Sequence, residues 1–259
     1  SIIDVSGWKH EIGSTQMVKF LREGDKRVKS TNKWMNQEAG IPVAIRVTTI
    51  KPGGTVPKIA GRTSGIGHPN FKWTLRRVRV SRDTQFADIL IDAGVPNEPE
   101  INDPGTLVFE FPVLQGPAKP ADEVSLWEQA FNLVLIQREW SDNAVSNTLN
   151  FQPRWLLVRE IPEADSINTS GVNIRIGLDY YPKTDYKIEN GKLYKLNPRN
   201  EEDDIEAVLA SIAPLTKSVS LLPHTPKGVY KQMPEEGITE EEYNERIAAI
   251  GTIDWSILT

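Results

Sequence analysis

Strand-like and helix-like stretches alternate along most of this chain, and that alternation limits its possible folds more than any other feature. From Ser14 to Ala39, Met17, Phe20, Leu21, Val28, Trp34 and Met35 fall at helical spacing. Gly24 is an expected interruption and Gly40 an expected C-terminal cap. The next ten positions, 41–50, are rich in β-branched residues and read as a buried strand. Further strands are expected at Leu75–Ser81, Thr106–Val113, Val145–Phe151 and Lys217–Leu222. Further helices are expected at Thr84–Ala93 (closed by Gly94), Asp122–Trp140, Glu201–Ile212 and Thr239–Ile250. Leu126, Trp127, Ala130, Phe131, Val134 and Leu135 form the apolar stripe of the third of these five helices. Thr239 and Glu242 make a capping box for the last. Such alternation predicts an α/β architecture with parallel strands.

Residues 154–199 break the rhythm. They are polar and aromatic, and Asn190-Gly191 sits at the centre of an alternating run from Asp185 to Leu196, the pattern of a β-hairpin. The expected organisation is therefore a segment 1–153, a β-rich insertion 154–200 and a closing segment 201–259.

The chain has no cysteine, so disulfides, thiolate metal sites and protein-thiol chemistry are excluded within it. Three scattered histidines, His10, His68 and His224, do not make a metal site, and none is expected. The net charge of -5 argues against nucleic-acid binding, and there is no apolar run of about 18 residues to span a membrane. No basic-then-apolar leader is present, and a cytoplasmic protein is expected.

The stretch that suggests chemistry is Lys51-Pro52-Gly53-Gly54-Thr55-Val56-Pro57, directly after the first expected strand. Paired glycines let a backbone approach a ligand without a Cβ in the way, and successive amides in such a bend converge on an anion. Thr55 adds a hydroxyl. Pro52, Gly53, Gly54, Thr55 and Val56 are thus candidate phosphate-binding residues. The pattern is neither a Walker loop nor a dinucleotide fingerprint, and a Pro-Gly-Gly turn that merely connects two elements is the alternative.

This loop stands inside a longer ordered pattern. Arg46 to Val56, Ser64-Gly65-Ile66-Gly67-His68-Pro69, Leu75 to Arg79, Val108 to Val113 and Trp140 to Thr148 follow one another, with Ser220-Leu221-Leu222-Pro223, Gly228-Val229-Tyr230 and Ile253-Asp254-Trp255-Ser256 downstream. Together they resemble the adenosylcobalamin-dependent (class II) ribonucleotide reductases, in their monomeric ribonucleoside-triphosphate form. The resemblance implies the later strands and helices of a ten-stranded α/β barrel, from the C-terminal segment of the catalytic chain, with a β-hairpin insertion. It implies that the loop holds substrate phosphates, although the family has Ser where Gly53 stands. The family's cysteines and carboxylate base lie outside the matched region, so no catalytic residue is expected here and the chain alone is expected to be inactive. The implied cofactor is adenosylcobalamin, bound mainly with a separate N-terminal segment. The implied partners are that segment, a ribonucleotide and a thioredoxin-like reductant. The alternative reading is a non-catalytic module that binds nucleotide phosphate or assists assembly.

Other candidates have plainer readings. His68, Ser146, Asn147 and Thr148 are candidate substrate or cofactor contacts, yet His68 also suits a turn-holding hydrogen bond. Arg76, Arg77 and Arg79 suit salt bridges better than phosphate. Asp142 and Asn143 suit a helix end. Tyr180, Tyr181, Tyr186 and Tyr194 suit a packed hairpin face, and Glu201-Glu202-Asp203-Asp204 a helix N-terminus.

Overall fold

The computed structural model describes residues 15–51, 53, 63, 65–116, 119–225 and 231–258. The chain divides into two compact units, Ser1–Ser14 with Lys51–Glu123 and Pro226–Thr259, and Thr15–Ile50 with Val124–Thr225.

In the first unit, β1 (Trp73–Ser81) pairs antiparallel with β3 (Thr106–Leu114) over its whole length. The short β2 (Asn97–Pro99) adds to one edge and β12 (Glu235–Gly237) to the other, also antiparallel. The parallel arrangement expected from the sequence therefore does not hold here. Helix α2 (Gln85–Asp92) follows β1, and the chain returns through Asn97–Pro99 against β3 instead of crossing over to a parallel neighbour. Thr84 caps α2 by accepting from the Ala87 N–H, and Gly94 leaves it at φ 73°. Ala87, Leu90, Val95, Leu107 and Phe109 form its core, with Ile250 and Ile253 packed on it. Complete burial of Phe109 contributes about 2 kcal/mol. Helix α5 (Glu240–Ala249) starts at the full Thr239/Glu242 capping box read from the sequence.

In the second unit, α1 (Thr15–Glu38) runs unbroken through Gly24, contrary to expectation. The glycine is there for contact: a Cβ on it would lie 3.1 Å from the ring of Trp140. Gly40, at φ 67°, ends α1 as expected, with its N–H on Gln37 and that of Ile41 on Asn36. Residues 41–46 are not a buried strand. Ile41, Val43 and Ile45 are exposed, Ile45 to 94%, and burial begins only at Thr48 and Ile50. Among the described residues nothing covers the earlier positions, so β-branched composition alone did not bury them.

Helix α3 (Leu126–Glu139) packs on β4 (Thr148–Phe151), which pairs with β11 (Ser220–Pro223) in a parallel ladder. Its buried side differs from the expected stripe: Trp127 and Phe131 are exposed, whereas Gln129, Asn132, Leu133, Ile136 and Gln137 are buried. The glutamines bury because backbone groups beside them need partners. Gln129 accepts from Asn150 N–H at 2.8 Å and donates to the Asn150 carbonyl at 2.7 Å. Gln137 accepts from Val145 N–H and donates to the carbonyls of Ser141 and Asn143. Helix α4 (Ile205–Ile212) completes this packing. Glu201, just before it, accepts from the N–H groups of Leu126 and Gln152, so the acidic run ties elements together as well as opening a helix.

The expected β-rich region forms two three-stranded antiparallel sheets. One is β5 (Trp155–Glu160), β10 (Lys192–Leu196) and β9 (Tyr186–Glu189); the other is β6 (Ile167–Asn168), β7 (Asn173–Ile176) and β8 (Asp179–Pro182). Asn190 and Gly191 make the predicted turn, both at positive φ, 49° and 70°. Ile174, Ile176 and Leu193 are the core of this region, packed with Tyr181 and Tyr186; Tyr180 is exposed. At its base the Asn197 N–H donates to the Arg154 carbonyl at 2.8 Å. Among the described residues the sheets do not close into a barrel, and no helix is long and apolar enough to cross a membrane.

Candidate functional site

The candidate loop leaves the second unit at Ile50. Pro52, Gly54, Thr55 and Val56 lie outside the described residues; Lys51 is exposed and Gly53 half-buried. What the structure defines is the stretch that leads into it. Three consecutive carbonyls, those of Thr48, Thr49 and Ile50, accept hydrogen bonds from the segment just after α3. Asn143 donates to Thr48 through its backbone N–H at 3.2 Å and its side-chain Nδ2 at 3.1 Å. Trp140 Nε1 donates to Thr49 at 3.3 Å, and the Ser146 N–H to Ile50 at 3.1 Å. The Asp142 N–H donates to the Thr48 hydroxyl at 3.0 Å, and Val47 N–H to Asp142 Oδ2 at 3.1 Å. The expected helix end at Asp142 and Asn143 falls earlier, at Glu139 with Trp140 as the cap; Asp142 and Asn143 instead hold Val47 and Thr48, in the stretch before the loop. Nothing in the spacing of positions 48 and 140–146 announced that pairing.

Charge reinforces it. Lys29 of α1 bridges Asp25 and Asp142, each at 2.9 Å. Burial pushes the Asp142 carboxyl up, but the Val47 N–H and the Lys29 ammonium outweigh it and hold the group below the ordinary aspartate range. Lys217 donates to the Asp142 carbonyl. One residue before Trp140, Glu139 is clasped by Arg22, whose Nη2 is 3.0 Å from Oε1, and its hydrogen bonds to Arg22 hold it below the glutamate range against the opposing effect of burial.

Of the other candidates in this unit, Ser146 and Thr148 are exposed and Asn147 half-buried; Thr148 opens the ladder opposite Ser220. In the first unit, His68 Nδ1 lies 3.0 Å from the Lys119 carbonyl. A carbonyl only accepts, so this nitrogen carries the proton and the ring ties residue 68 to residue 119. Arg77 bonds Glu110 at 2.8 Å and Glu236 at 2.9 Å, Arg76 bonds Glu235 at 3.3 Å, and Arg79 donates to the Gln232 carbonyl at 3.2 Å. These arginines clamp β12 and its approach onto β1. Among the described residues no cluster of His, Asp or Glu could hold a metal.

No protein-family model matches the chain. Its relatives nevertheless agree with the resemblance drawn from the motifs. A probable adenosylcobalamin-dependent ribonucleoside-triphosphate reductase of Dictyostelium discoideum is 28% identical over 261 residues, covering 100% of this chain and 28% of the relative. The adenosylcobalamin-dependent ribonucleoside-triphosphate reductase of Euglena gracilis is 29% identical, covering 92% of this chain and 27% of the relative. That of Levilactobacillus brevis is 36% identical over a 119-residue stretch, 44% of this chain and 16% of the relative. A crystal structure of a B12-dependent (class II) ribonucleotide reductase superposes with a TM-score of 0.66 at 26% identity, covering 92% of this chain and 27% of that one. The chain thus spans less than a third of the length of these proteins.

Proposed function

We propose that this chain is the C-terminal segment of an adenosylcobalamin-dependent ribonucleotide reductase, supplying barrel wall and the grip on the substrate's phosphates. The observation that carries the reading is the match in sequence over 100% of the chain, joined to a TM-score of 0.66 with a class II enzyme. The relatives' names favour ribonucleoside triphosphates as substrates.

The chain has no cysteine, so the sulfur chemistry of reduction belongs to the rest of the enzyme. There a thiyl radical removes the 3′ hydrogen of the ribonucleotide. A dithiol is oxidised to a disulfide as the 2′ hydroxyl leaves as water, and the 3′ hydrogen is returned. Adenosylcobalamin, when bound, supplies the means of forming that radical. Among the described residues no cluster of His, Asp or Glu could hold a metal, and cofactor binding is assigned mainly to the N-terminal part of the enzyme. This chain's share is to hold and orient. Amides of Gly53, Gly54 and their neighbours, with the Thr55 hydroxyl, bind the anionic tail, and orientation of a reactant is itself a large part of catalysis. Ser146, Asn147 and Thr148 offer hydroxyl and amide groups towards substrate or cofactor.

The exposed run Ile41, Val43 and Ile45, with Trp34 and Met35 exposed on α1, supports a companion segment on this side, since uncovered apolar patches mark interaction surfaces. The experiment is co-expression with the N-terminal part of such a reductase, followed by assay of deoxynucleotide formation with a thioredoxin-like reductant. Formation that requires both polypeptides and adenosylcobalamin is expected. A pair that co-purifies yet forms no deoxynucleotide would leave only the non-catalytic reading.

A further inference from the structure

We infer that Asn190 is a self-modification site: the backbone nitrogen of Gly191 attacks its side-chain carboxamide, and the residue converts to aspartate and isoaspartate with water as the only other reactant.

The setting favours the attack. Asn190-Gly191 is the chain's one Asn-Gly pair, and both residues are exposed at the tip of the β9–β10 hairpin. Glycine puts no Cβ beside the attacking nitrogen. No hydrogen bond among the described residues occupies the Gly191 N–H or the Asn190 side chain. Other asparagines are held. Asn168 accepts from the N–H and hydroxyl of Ser170, and Asn200 accepts from the Glu202 N–H while donating to Asp203. Asn190 also sits at φ 49°, a region that residues other than glycine seldom occupy. Loop tips open locally at little cost, and each opening frees the Asn190 side chain to swing toward the nitrogen.

The atoms balance without an oxidant or reductant. The Gly191 nitrogen loses its proton to hydroxide and bonds to Asn190 Cγ. The Cγ–Nδ2 bond breaks, and Nδ2 leaves as ammonia after taking a proton from water. A cyclic imide remains, and water opens it. Addition at Cγ gives aspartate. Addition at the main-chain carbonyl carbon gives isoaspartate, whose backbone runs through the former side chain. In either case the Gly191 nitrogen regains its proton.

The lengthened backbone falls where spacing matters. Glu189 and Lys192 face each other across the turn, and a turn of two residues fixes that register. The Gly191 carbonyl accepts from the Ile161 N–H at 2.8 Å. Ile161 follows β5, where the chain leaves for β6, and packs on the core of Ile174, Ile176 and Leu193. Isoaspartate at position 190 therefore loosens the joint between the two sheets and sets a new carboxylate next to Glu189.

The test incubates the full folded chain at neutral and mildly alkaline pH and maps its peptides by mass spectrometry. The peptide holding Asn190 should gain the mass difference between an amide and an acid, with isoaspartate beside aspartate. It should do so faster than any other asparagine peptide, at a rate proportional to hydroxide. Asn190→Gln, whose longer side chain closes a less favourable ring, should show no such change. As product accumulates, the Ile161 and Lys192 amides should lose protection from hydrogen exchange, whereas the Asn150 amide, held by Gln129, should keep its own. Asn190→Asp brings the charge without the longer backbone and should leave Ile161 protected. If Asn190 reacts no faster in the folded chain than Asn102, which precedes Asp103, the turn shields it and the inference is overturned. If isoaspartate forms and Ile161 stays protected, the effect on the joint is refuted.

Discussion

Replacing Gln129 by leucine tests how β4 is held. The side chain is 3% exposed and its amide makes both hydrogen bonds to Asn150, at 2.7 and 2.8 Å. Asn150 is itself 8% exposed, so water cannot easily replace the lost partners. Gln129→Leu preserves most of the volume and adds apolar surface, but it leaves one buried N–H and one buried carbonyl without these bonds. Each such group costs about 1–3 kcal/mol, which puts the combined destabilisation at about 4 kcal/mol. That is a large part of the 5–15 kcal/mol typical of a folded domain. Urea titration followed by tryptophan fluorescence should show an earlier midpoint at an unchanged slope, and the Asn150 amide should exchange its hydrogen faster. Glu128→Gln, on the exposed neighbour, should stay within about 0.5 kcal/mol of the unchanged chain. If Gln129→Leu also stays within about 1 kcal/mol, the idea that a helix side chain completes the strand's hydrogen bonding is refuted.

Three further outcomes are expected. Thr239→Ala removes half of a complete capping box and should cost about 1 kcal/mol, read as earlier melting and faster exchange at the Glu242 amide. Gly191→Ala forces a side chain into φ 70° and should cost about 1 kcal/mol, visible as lost protection in the β9–β10 hairpin while α3 is unaffected. Glu139 and Asp142 both have folded-state values below their ordinary ones, so their stabilisation is present above the unfolded values and fades as pH falls through the folded ones. Stability should therefore drop as pH is lowered below about 4, and Glu139→Gln with Asp142→Asn should flatten that drop; an equally steep acid profile in the double variant would rule the two carboxylates out.

Local chemistry was readable from the sequence wherever it is self-contained. The Thr239/Glu242 box, the Asn190-Gly191 turn and the Gly40 cap depend on a few neighbouring residues, and each forms as read. What escaped depends on distant partners. Trp127 and Phe131 looked like core and are exposed, while Gln129 and Gln137, outside the expected stripe, are buried, because unpaired backbone around β4 demands amides and not carbon. Gly24 looked like a break and is a contact for Trp140, a residue 116 positions away. Alternation of strands and helices suggested parallel pairing, and β1 with β3 is antiparallel, since alternation does not encode which neighbour a strand chooses. For the candidate site, the glycine-paired loop stood out, but the grip of residues 140–146 on Thr48, Thr49 and Ile50 did not. A tryptophan at a helix end carries no sign of the carbonyl it will meet.

The base of the β-rich region has a consequence for how such a protein can change. Its two chain ends meet at the bond between Asn197 and Arg154, and Glu201 N–H bonds the Gln152 carbonyl at 2.8 Å just outside them. Entrance and exit are this close, and Ile174, Ile176 and Leu193 gather in a core of their own. A linker of a few residues could replace it without stretching β4 or α4, and the same two cut points would accept a different domain.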